Sequence, residues 1–253
     1  MPEPLYSARL ERKVLLSELA QTYHLEFSIP GVETFDFVPG QFVSLIGTDP
    51  SGKDQMRAYS VASAPDRNRF DLCLNRVDGG FFSNKLCDLE PGGEIQFHGP
   101  YGMFTLRSPM TESILIATGT GIAPIRGFVQ YLFQESGGDR SGGRDIWLVY
   151  GTRHETELYY RDYFEAVAAR HANFHYLPTL SRAREDWAGL RGYVQEHVAA
   201  LLKEHPVENA PAAADGFRIY AYICGLNDMV SSNRKQLLDL GWQRRQIVYE
   251  RYD

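Results

Sequence analysis

The 253-residue sequence is poor in cysteine, and its three cysteines form no recognisable pattern. Cys73, Cys87 and Cys224 are scattered and odd in number, which argues against a disulfide framework and favours a reducing compartment. No Cys-x-x-Cys pair and no His/Cys cluster occurs in the sequence. The sequence therefore predicts no iron–sulfur cluster and no metal site.

Long apolar runs and an excess of positive charge are also missing. No apolar stretch approaches the ~20 residues that a membrane span requires. The formal net charge of −6 argues against nucleic acid as a partner. Residues 1–11 show neither the apolar core of a signal peptide nor the Arg/Ser bias of a transit peptide. We therefore expect a cytoplasmic protein without a membrane span, and no pattern indicates its oligomeric state.

The first part of the chain reads as an antiparallel β-domain. Short apolar runs at 42–46, 70–74 and 94–97 are separated by Gly- and Pro-rich turns at 39–40, 78–80, 91–93 and 99–100. Short strands with regular turns favour an antiparallel barrel or sandwich. One helix is predicted over 83–89.

The second part alternates strands with helices, which predicts a doubly wound parallel sheet. Strands are predicted at 113–117, 145–150, 174–177, 218–224 and 247–252. Helices are predicted at 124–134, 161–170, 194–204 and 228–240. The polar segment 208–216 is expected to be a loop. The predicted domains are 1–107 and 112–253.

Two short motifs in the first domain suggest contacts to a phosphorylated cofactor. The first lies beside a predicted strand and, taken alone, is typical of surface and half-buried positions: Arg57-Ala58-Tyr59-Ser60. The second precedes the predicted helix: Gly80-Phe81-Phe82-Ser83. Small residues before a helix let backbone N–H groups approach a phosphate, although a plain turn with an N-cap has the same pattern.

Two further motifs follow predicted strands of the second domain, where ligands of open α/β sheets bind. The first is Gly119-Thr120-Gly121-Ile122-Ala123-Pro124, whose glycines permit close approach of a pyrophosphate. The second is Cys224-Gly225-Leu226-Asn227-Asp228-Met229. The chain ends on Tyr249-Glu250-Arg251-Tyr252-Asp253.

Taken together and in this order, the motifs resemble the plant-type branch of the ferredoxin–NADP reductase family. The resemblance covers nearly the whole chain and is most specific at RAYSVAS, SNKLCDLEPG, GTGIAP, CGLNDM and the terminal E-x-Y. It implies an N-terminal FAD-binding antiparallel β-barrel followed by an NADP(H)-binding α/β domain. It also implies hydride transfer between NADP(H) and the flavin, with ferredoxin or flavodoxin as carrier of single electrons.

The resemblance assigns roles to the motif residues. Arg57 would pair with the FAD pyrophosphate, Tyr59 would lie against the isoalloxazine, and Ser60 would hydrogen-bond near flavin N5. The second flavin strand matches Cys73-Leu74-Asn75, and the loop after it matches Gly80 to Ser83, with Ala58, Phe81 and Phe82 as neighbouring contacts. We expect Ser60, Cys224 and Glu250 to position and polarise the reacting rings, and Tyr252 to cover the flavin face as a gate.

The same resemblance points to a 2′-phosphate site. Ser181 and Arg182 would hold the phosphate, Arg191 would add charge, and Tyr193 would lie on the adenine; a solvated Arg-rich loop is the alternative interpretation. The remaining candidates of the nucleotide loops are Gly119, Thr120, Gly121, Thr152, Arg153, Gly225 and Leu226.

The chain departs from the family in three respects. Asp253 follows the terminal Tyr, Asn75 stands where the family often has Lys, and no chloroplast transit segment is evident, which favours a bacterial cytosolic protein. Two alternatives remain open: an NADH-dependent reductase component of an oxygenase system, and a flavin-binding electron-relay subunit of a larger dehydrogenase. The absence of a C-terminal cysteine cluster counts against the relay subunit.

Overall fold

The computed structural model describes residues 4–134, 138–205 and 215–252. Most of the segment 208–216 and all of Asp253 therefore lie outside the described residues. The chain forms two compact units. The first runs to Thr105 and includes Arg126–Tyr131, and the second contains Leu106–Ile125 and the chain from Leu132 onward. Within the described ranges, no helix is long and apolar enough to cross a membrane.

The first unit is a six-stranded antiparallel sheet with the strand order β4-β3-β6-β1-β2-β5. Its strands are β1 (Leu5–Ser17), β2 (Thr22–Ser28), β3 (Phe42–Thr48), β4 (Asp54–Ser60), β5 (Arg69–Asn75) and β6 (Glu94–Tyr101), and its helix is α1 (Phe81–Asp88). An isolated antiparallel bridge between Val61 and Leu72 joins the chain after β4 to β5. Because β4 and β5 are the two edges of the sheet, this bridge closes the sheet on itself.

Buried aromatic rings fill the core of the first unit. Phe27 stacks on Phe70 at 5.4 Å, and Phe70 meets Phe97 edge-on at 5.2 Å between ring centroids. Phe35 packs edge-on against Phe97 at 5.6 Å. Aromatic pairs of this kind contribute about 0.5–1.5 kcal/mol each beyond the area that they bury. Phe70, Leu72 and Leu74 of β5 belong to this core, and Tyr59 of β4 packs against it.

The second unit is a parallel sheet with the strand order β12-β11-β10-β7-β13-β14. Its strands are β7 (Glu112–Thr118), β10 (Ile146–Thr152), β11 (Phe174–Leu180), β12 (Leu190–Arg191), β13 (Ile219–Leu226) and β14 (Ile247–Tyr252). Its helices are α3 (Arg161–Arg170), α4 (Val194–Glu204) and α5 (Asn227–Asp239), and α2 (Ile122–Leu132) is divided between the units, with Arg126–Tyr131 in the first. A separate two-stranded sheet pairs β8 (Phe133–Gln134) with β9 (Gly138–Asp139).

The strand order changes direction at β7, which lies between β10 and β13. In open parallel sheets, loops diverge at such a switch point and leave a crevice at the carboxyl ends of the strands. The motifs 119–124 and 224–229 both follow strands at this point. The predicted fold class, an antiparallel barrel followed by a parallel α/β sheet, is confirmed.

Several elements differ from the sequence prediction: α1 begins at Phe81, two residues before its predicted start, the short strand β12 was not predicted, and α2 differs at both ends. Helix α2 begins at Ile122, two residues before the predicted start, because Pro124 is tolerated in the first turn, where no helical hydrogen bond needs its N–H. The same helix ends at Leu132, since Phe133 and Gln134 pair with Gly138 and Asp139 instead. The predicted boundary between the domains stays a prediction.

Candidate cofactor sites

Strand β4 carries the predicted flavin-contacting segment. Ser60 at its end is buried, Tyr59 is half-buried, and Arg57 and Ala58 are exposed. Burial raises the pKa of Tyr59 to about 12, so its hydroxyl stays protonated and can donate a hydrogen bond. Met56 is 63% exposed on the same edge strand. This strand therefore offers a guanidinium, a phenol and apolar surface to a large ligand.

The turn before α1 has the backbone arrangement of a phosphate-binding loop. Gly80 is the N-cap without a side-chain cap, and the first helical bond runs from the N–H of Asn84 to the carbonyl of Gly80 at 3.2 Å. The N–H groups of Phe81, Phe82 and Ser83 precede that bond, so the helix itself leaves them for an external acceptor. A Cβ at Gly80 would lie 2.5 Å from Ser83 Oγ, so a larger residue here would require the Ser83 hydroxyl to move.

The Ser83 hydroxyl shapes this turn from inside. It accepts a hydrogen bond from the N–H of Val77 at 3.2 Å and donates to the carbonyl of Gly80 at 3.4 Å. The side-chain amide of Asn84 also donates to Gly80, at 2.6 Å. These hydrogen bonds show that the Ser83 side chain stabilises the turn. A direct contact of this side chain with a cofactor stays a prediction.

The third predicted flavin segment forms the end of β5. Cys73 and Leu74 are buried, and Asn75 is half-buried with its side-chain amide donating to the carbonyl of Arg76 at 3.3 Å. Leu74 belongs to the barrel core. The pyrophosphate of an FAD fits three features of this unit: the exposed guanidinium of Arg57, the first-turn amides of α1, and Gly80 at the N-cap of that helix.

Two glycine-containing loops meet at the carboxyl ends of β7 and β13. A Cβ at Gly121 would overlap the carbonyl oxygen of Cys224 and lie 2.9 Å from the Cα of Gly225. A Cβ at Gly225, whose φ is +153°, would lie 2.6 Å from Thr118 Oγ1. These backbones are in direct contact. Both glycines are buried, so their lack of a side chain allows this close approach at the strand ends, where open parallel sheets bind dinucleotides.

The predicted nicotinamide-side residues share one corner of the second unit. In the parallel pairing of β13 with β14, Cys224 lies beside Glu250 and Leu226 beside Tyr252. Cys224 is fully buried, and burial, followed by the Glu250 carboxylate, raises the pKa of its thiol well above the usual value, although a hydrogen bond with Tyr252 opposes this. The thiol is therefore protonated, which does not suit a thiolate nucleophile.

The loops after β10 and β11 extend the sheet pairing beyond the strands. The N–H of Ser181 donates to the carbonyl of Thr152, and the N–H of Arg182 to the carbonyl of Arg153, each at 3.0 Å. Both arginine side chains are exposed. The structure thus brings these four predicted residues together on neighbouring segments, with two guanidinium groups available to an anion.

Arg191 and Tyr193 have different environments. Tyr193 is the N-cap of α4 and is 63% exposed, so its ring can receive a flat ligand. The guanidinium of Arg191 donates to the backbone carbonyls of residues in the preceding loop: Ala183, Arg184, Glu185 and Trp187. A direct role of Arg191 at a phosphate stays a prediction.

No local sequence pattern points to Tyr150, which supports the first glycine loop. This residue is fully buried in β10, where its apolar neighbours make it look like an ordinary core position. Its hydroxyl lies 3.1 Å from the carbonyl of Gly119 and 3.3 Å from that of Glu157. Tyr150 therefore ties the loop after β7 to the turn after β10.

The first unit also contains a buried charged cluster that no sequence motif predicted. Arg126 Nη1 donates to Asp71 Oδ2 at 2.9 Å and to the carbonyl of Ala62 at 2.6 Å. His24 Nε2 lies 3.6 Å from the same Asp71 oxygen. Burial raises the pKa of Asp71, and Arg126 opposes that rise. Arg126 and Asp71 are 55 positions apart, so no local pattern reveals their pairing.

Among the described residues, no group of three or more His, Cys, Asp or Glu side chains is placed to hold a metal ion.

Two family models match the chain. The oxidoreductase FAD-binding domain covers residues 7–106, and the oxidoreductase NAD-binding domain covers residues 115–235. The chain is 39% identical to ferredoxin–NADP reductase B of Sorangium cellulosum over 90% of its own length and 91% of that protein. It is 29% identical to the toluate 1,2-dioxygenase electron transfer component of Pseudomonas putida, over 98% of the chain and 67% of that protein.

A solved structure shares the fold. The crystal structure of a ferredoxin NADP⁺ reductase from Neisseria gonorrhoeae aligns with a TM-score of 0.76 at 21% identity, covering 98% of both chains. Other curated relatives are longer, and the chain spans 61% of a chloroplastic leaf ferredoxin–NADP reductase from Oryza sativa.

The two domains and their strand-end loops are those of an FAD- and NAD(P)-dependent oxidoreductase. Within that class, the chain belongs to the ferredoxin–NADP reductase family. Membership confirms the predicted family, the predicted class of reaction, and FAD and NADP(H) as the cofactors. The roles of individual site residues remain predictions.

Proposed function

We propose that the protein is a ferredoxin–NADP⁺ oxidoreductase, which exchanges a hydride with NADP(H) and single electrons with ferredoxin or flavodoxin. The observation that carries the proposal is the arrangement at the strand ends of the second unit. The close contact of Gly121 with Cys224 and Gly225 brings the first glycine motif to the end of β13, where Cys224 pairs with Glu250 and Leu226 with Tyr252. The bound flavin supplies the conversion of a two-electron hydride into single electrons.

In the first unit, the chain's residues hold and orient the flavin. Arg57 pairs with the pyrophosphate, and the first-turn amides of α1 donate to it. Ser60, buried at the end of β4, and the protonated hydroxyl of Tyr59 provide hydrogen bonds near the reacting ring. These groups bind and orient, and none of them needs to change its protonation state.

In the second unit, the residues position the nicotinamide. Hydride transfer requires the two rings to be held at near-attack distance, and it requires no proton relay. The protonated thiol of Cys224 and the half-buried carboxylate of Glu250 therefore serve as positioning and polarising groups. By the family resemblance, Tyr252 would cover the flavin ring and give way to the nicotinamide.

The proposal includes a preference for NADPH over NADH. The extra phosphate requires cations, and the exposed Arg182 and Arg153 on hydrogen-bonded neighbouring segments support this assignment. A charge-assisted contact contributes about 1.5–3 kcal/mol, which is roughly ten- to a hundredfold in affinity. Arg182→Ala should therefore lose much of the preference.

The test is steady-state oxidation of NADPH and NADH by the purified holoprotein, with ferredoxin, flavodoxin or a dye as acceptor. We expect a higher kcat/KM for NADPH and reduction of at least one of the two carriers. Equal kcat/KM for both nucleotides would refute the NADP assignment. Reduction of the dye alone would remove the carrier assignment.

Carrier docking is expected to depend on salt, since basic side chains steer acidic carriers. Five basic residues of the first unit are the candidates for such a patch, and four of them are exposed: Lys53, Arg67, Arg69 and Lys85. Arg76, the fifth, is half-buried and donates to Asn84 at 2.8 Å and to Asp88 at 2.6 Å. The four exposed side chains are therefore the ones to substitute. A rate of carrier reduction that does not decrease as the salt concentration rises would contradict electrostatic steering.

A second candidate function is an NADH-dependent reductase component of an oxygenase system. The similarity to the toluate dioxygenase component, which extends over 98% of the chain, favours it. That function predicts a higher kcat/KM for NADH and transfer of electrons to an oxygenase or its ferredoxin. The same nucleotide comparison therefore separates the two candidates.

A further inference from the structure

One face of helix α2 rests on the segment that follows β4. A Cβ at Gly127 would lie 2.8 Å from the carbonyl oxygen of Ser63, so the helix and the segment are in backbone contact. The side-chain oxygen of Gln130 accepts a hydrogen bond from the N–H of Ala64 at 3.0 Å. All of these residues belong to the first unit. The helix therefore holds the chain directly after Ser60.

Arg126, on the same helix, connects this segment to β5. Its Nη1 donates to the carbonyl of Ala62 at 2.6 Å and to the carboxylate of Asp71 at 2.9 Å. The side chains of Arg126 and Asp71 are 13% and 17% exposed, so their contact is largely shielded from water. Hydrogen bonds from a charged donor are stronger than those between neutral groups, and low local polarity strengthens them further. One guanidinium nitrogen thus joins two segments of the barrel.

The two segments are also bonded to each other at the same place. The N–H of Ala62 donates to the carbonyl of Asp71 at 2.7 Å, and the N–H of Asp71 donates to the hydroxyl of Ser63 at 3.0 Å. The antiparallel bridge that closes the sheet lies beside these bonds. The contacts between 61–63 and 71–72 form the seam of the barrel, and the guanidinium described above binds both of its sides.

The seam lies next to both segments that are predicted to contact the flavin. Ser60, expected near flavin N5, is two residues before Ala62, and the predicted flavin strand 73–75 begins two residues after Asp71. A shift of the seam is therefore passed to both segments through the backbone. Hydride transfer depends on near-attack geometry, and a misplacement of about 1 Å caused far from the reacting atoms can cost roughly a hundredfold in rate.

We infer that Arg126 is a positioning residue for the flavin. It holds the chain after Ser60 against β5 and thereby sets where the flavin-contacting groups of both segments lie. It acts through these segments and not as a ligand of the flavin. This inference rests on the proposed function, in which the first unit holds and orients FAD.

The test replaces the ion pair as a whole. Removing Arg126 alone would leave the Asp71 carboxylate buried without this partner, which is strongly destabilising. The double variant, Arg126→Met with Asp71→Asn, removes both charges and keeps side chains of similar size. Gln130→Ala is the matched control, because it removes a contact of the same helix with the segment after β4 and leaves the contacts to β5 in place. All proteins are measured with bound FAD.

We expect the double variant to change the visible circular dichroism of the bound flavin and to lower the rate of flavin reduction at saturating NADPH by about tenfold. The Kd for NADP⁺ should stay within about twofold of the wild-type value, since neither substitution lies in the glycine motifs 119–121 and 224–226. Gln130→Ala should keep the wild-type dichroism and rate.

Two results of this experiment would overturn the inference. A double variant that unfolds at a lower temperature but keeps the wild-type dichroism and rate would show that the ion pair only stabilises the fold. A Kd for NADP⁺ that weakens in step with the rate would place the loss at the nucleotide and not at the flavin.

A conservative replacement separates position from stability. Lysine keeps the charge and can donate to the same acceptors, but it lacks the planar fork. We expect Arg126→Lys to have a rate of flavin reduction between those of the wild type and the double variant. A rate at or below that of the double variant would contradict the role of the cation at the seam.

Failure of the inference and failure of the proposed function give different results. A wild type that prefers NADH or reduces neither carrier would refute the function, and flavin reduction by its preferred nucleotide would still decide whether Arg126 positions the flavin. A wild type that performs the proposed reaction, together with wild-type dichroism and rate in the double variant, would leave the function standing and remove the positioning role.

Discussion

Arg57 is the side chain whose removal tests the flavin site most directly. It is exposed on β4, beside the half-buried Tyr59, and is proposed to pair with the pyrophosphate. Because a charge-assisted contact contributes about 1.5–3 kcal/mol, Arg57→Ala should weaken FAD binding by roughly ten- to a hundredfold. The ratio of flavin to protein absorbance after gel filtration measures the loss. Lys53→Ala, at an exposed cation just before the same strand, should retain its flavin, and full retention in Arg57→Ala would contradict the assignment.

The burial of Cys224 predicts a thiol without thiolate chemistry. Its pKa is raised well above the usual value, so the protonated form persists through neutral pH. We expect Cys224→Ser to keep FAD and to lower the rate of flavin reduction by NADPH in stopped flow only partially. A covalent adduct on Cys224, trapped during turnover and detected by mass spectrometry, would show that the residue is a nucleophile.

At the scale of elements, the contact between the loops after β7 and β13 should be intolerant of any side chain. A Cβ at Gly121 would overlap the backbone of Cys224, which cannot move without disturbing β13. Overpacking of this kind costs about 1–3 kcal/mol, so Gly121→Ala should lower stability and weaken NADP(H) binding. Thermal unfolding and nucleotide titration measure the two effects.

Gly119→Ala is the matched control in the same loop. A Cβ there has no neighbour within 4 Å, and the unfavourable feature for alanine is the backbone φ of +53°. A left-handed conformation costs a non-glycine residue about 1–2 kcal/mol, without any clash. Gly119→Ala should therefore retain more nucleotide affinity than Gly121→Ala, and the reverse order would contradict the close approach.

The same elements show which features of the fold and of the site the sequence predicts. Alternating strands and helices were enough to predict the fold class and to place the motifs 119–124 and 224–229 at strand ends. The contact between Gly121 and Cys224 became visible only in the structure. Local patterns do not indicate which atoms bond within a loop. Ser83 turns its hydroxyl into its own turn, and Arg191 turns its guanidinium to backbone carbonyls. Both arrangements depend on the path of the chain, which residue spacing does not specify.

At the scale of the whole molecule, the two units carry separate spectroscopic probes. All three tryptophans, Trp147, Trp187 and Trp242, belong to the second unit, whereas the proposed flavin site lies in the first. Release of flavin fluorescence should therefore report unfolding of the first unit, and tryptophan fluorescence that of the second. Two-domain proteins often unfold in more than one step, so the two signals need not coincide.

The buried His24 should make the first unit sensitive to acid. Burial, followed by the charge of Arg126, lowers its pKa to about 4, while the nearby carboxylate of Glu26 opposes the shift. Since the unfolded chain binds this proton more tightly, with a pKa of about 6.5, the contribution to stability is complete above that pH and is lost as the pH falls towards 4. The loss amounts to about 3 kcal/mol at pH 4.

We therefore expect the midpoint temperature of flavin release to decrease in the wild type as the pH is lowered from 6.5 to 4.5. The decrease should be smaller in His24→Gln, whose side chain stays neutral throughout. His98→Gln, at a half-buried histidine of the same unit whose Nδ1 lies 2.9 Å from the carbonyl of Pro4, should follow the wild type, because His98 lies outside the buried cluster. The tryptophan signal should show little difference between wild type and His24→Gln, since the cluster of His24, Asp71 and Arg126 lies within the first unit. The same pH dependence of flavin release in wild type and His24→Gln would mean that other groups cause the acid sensitivity, and that the buried cluster does not limit the stability of the barrel.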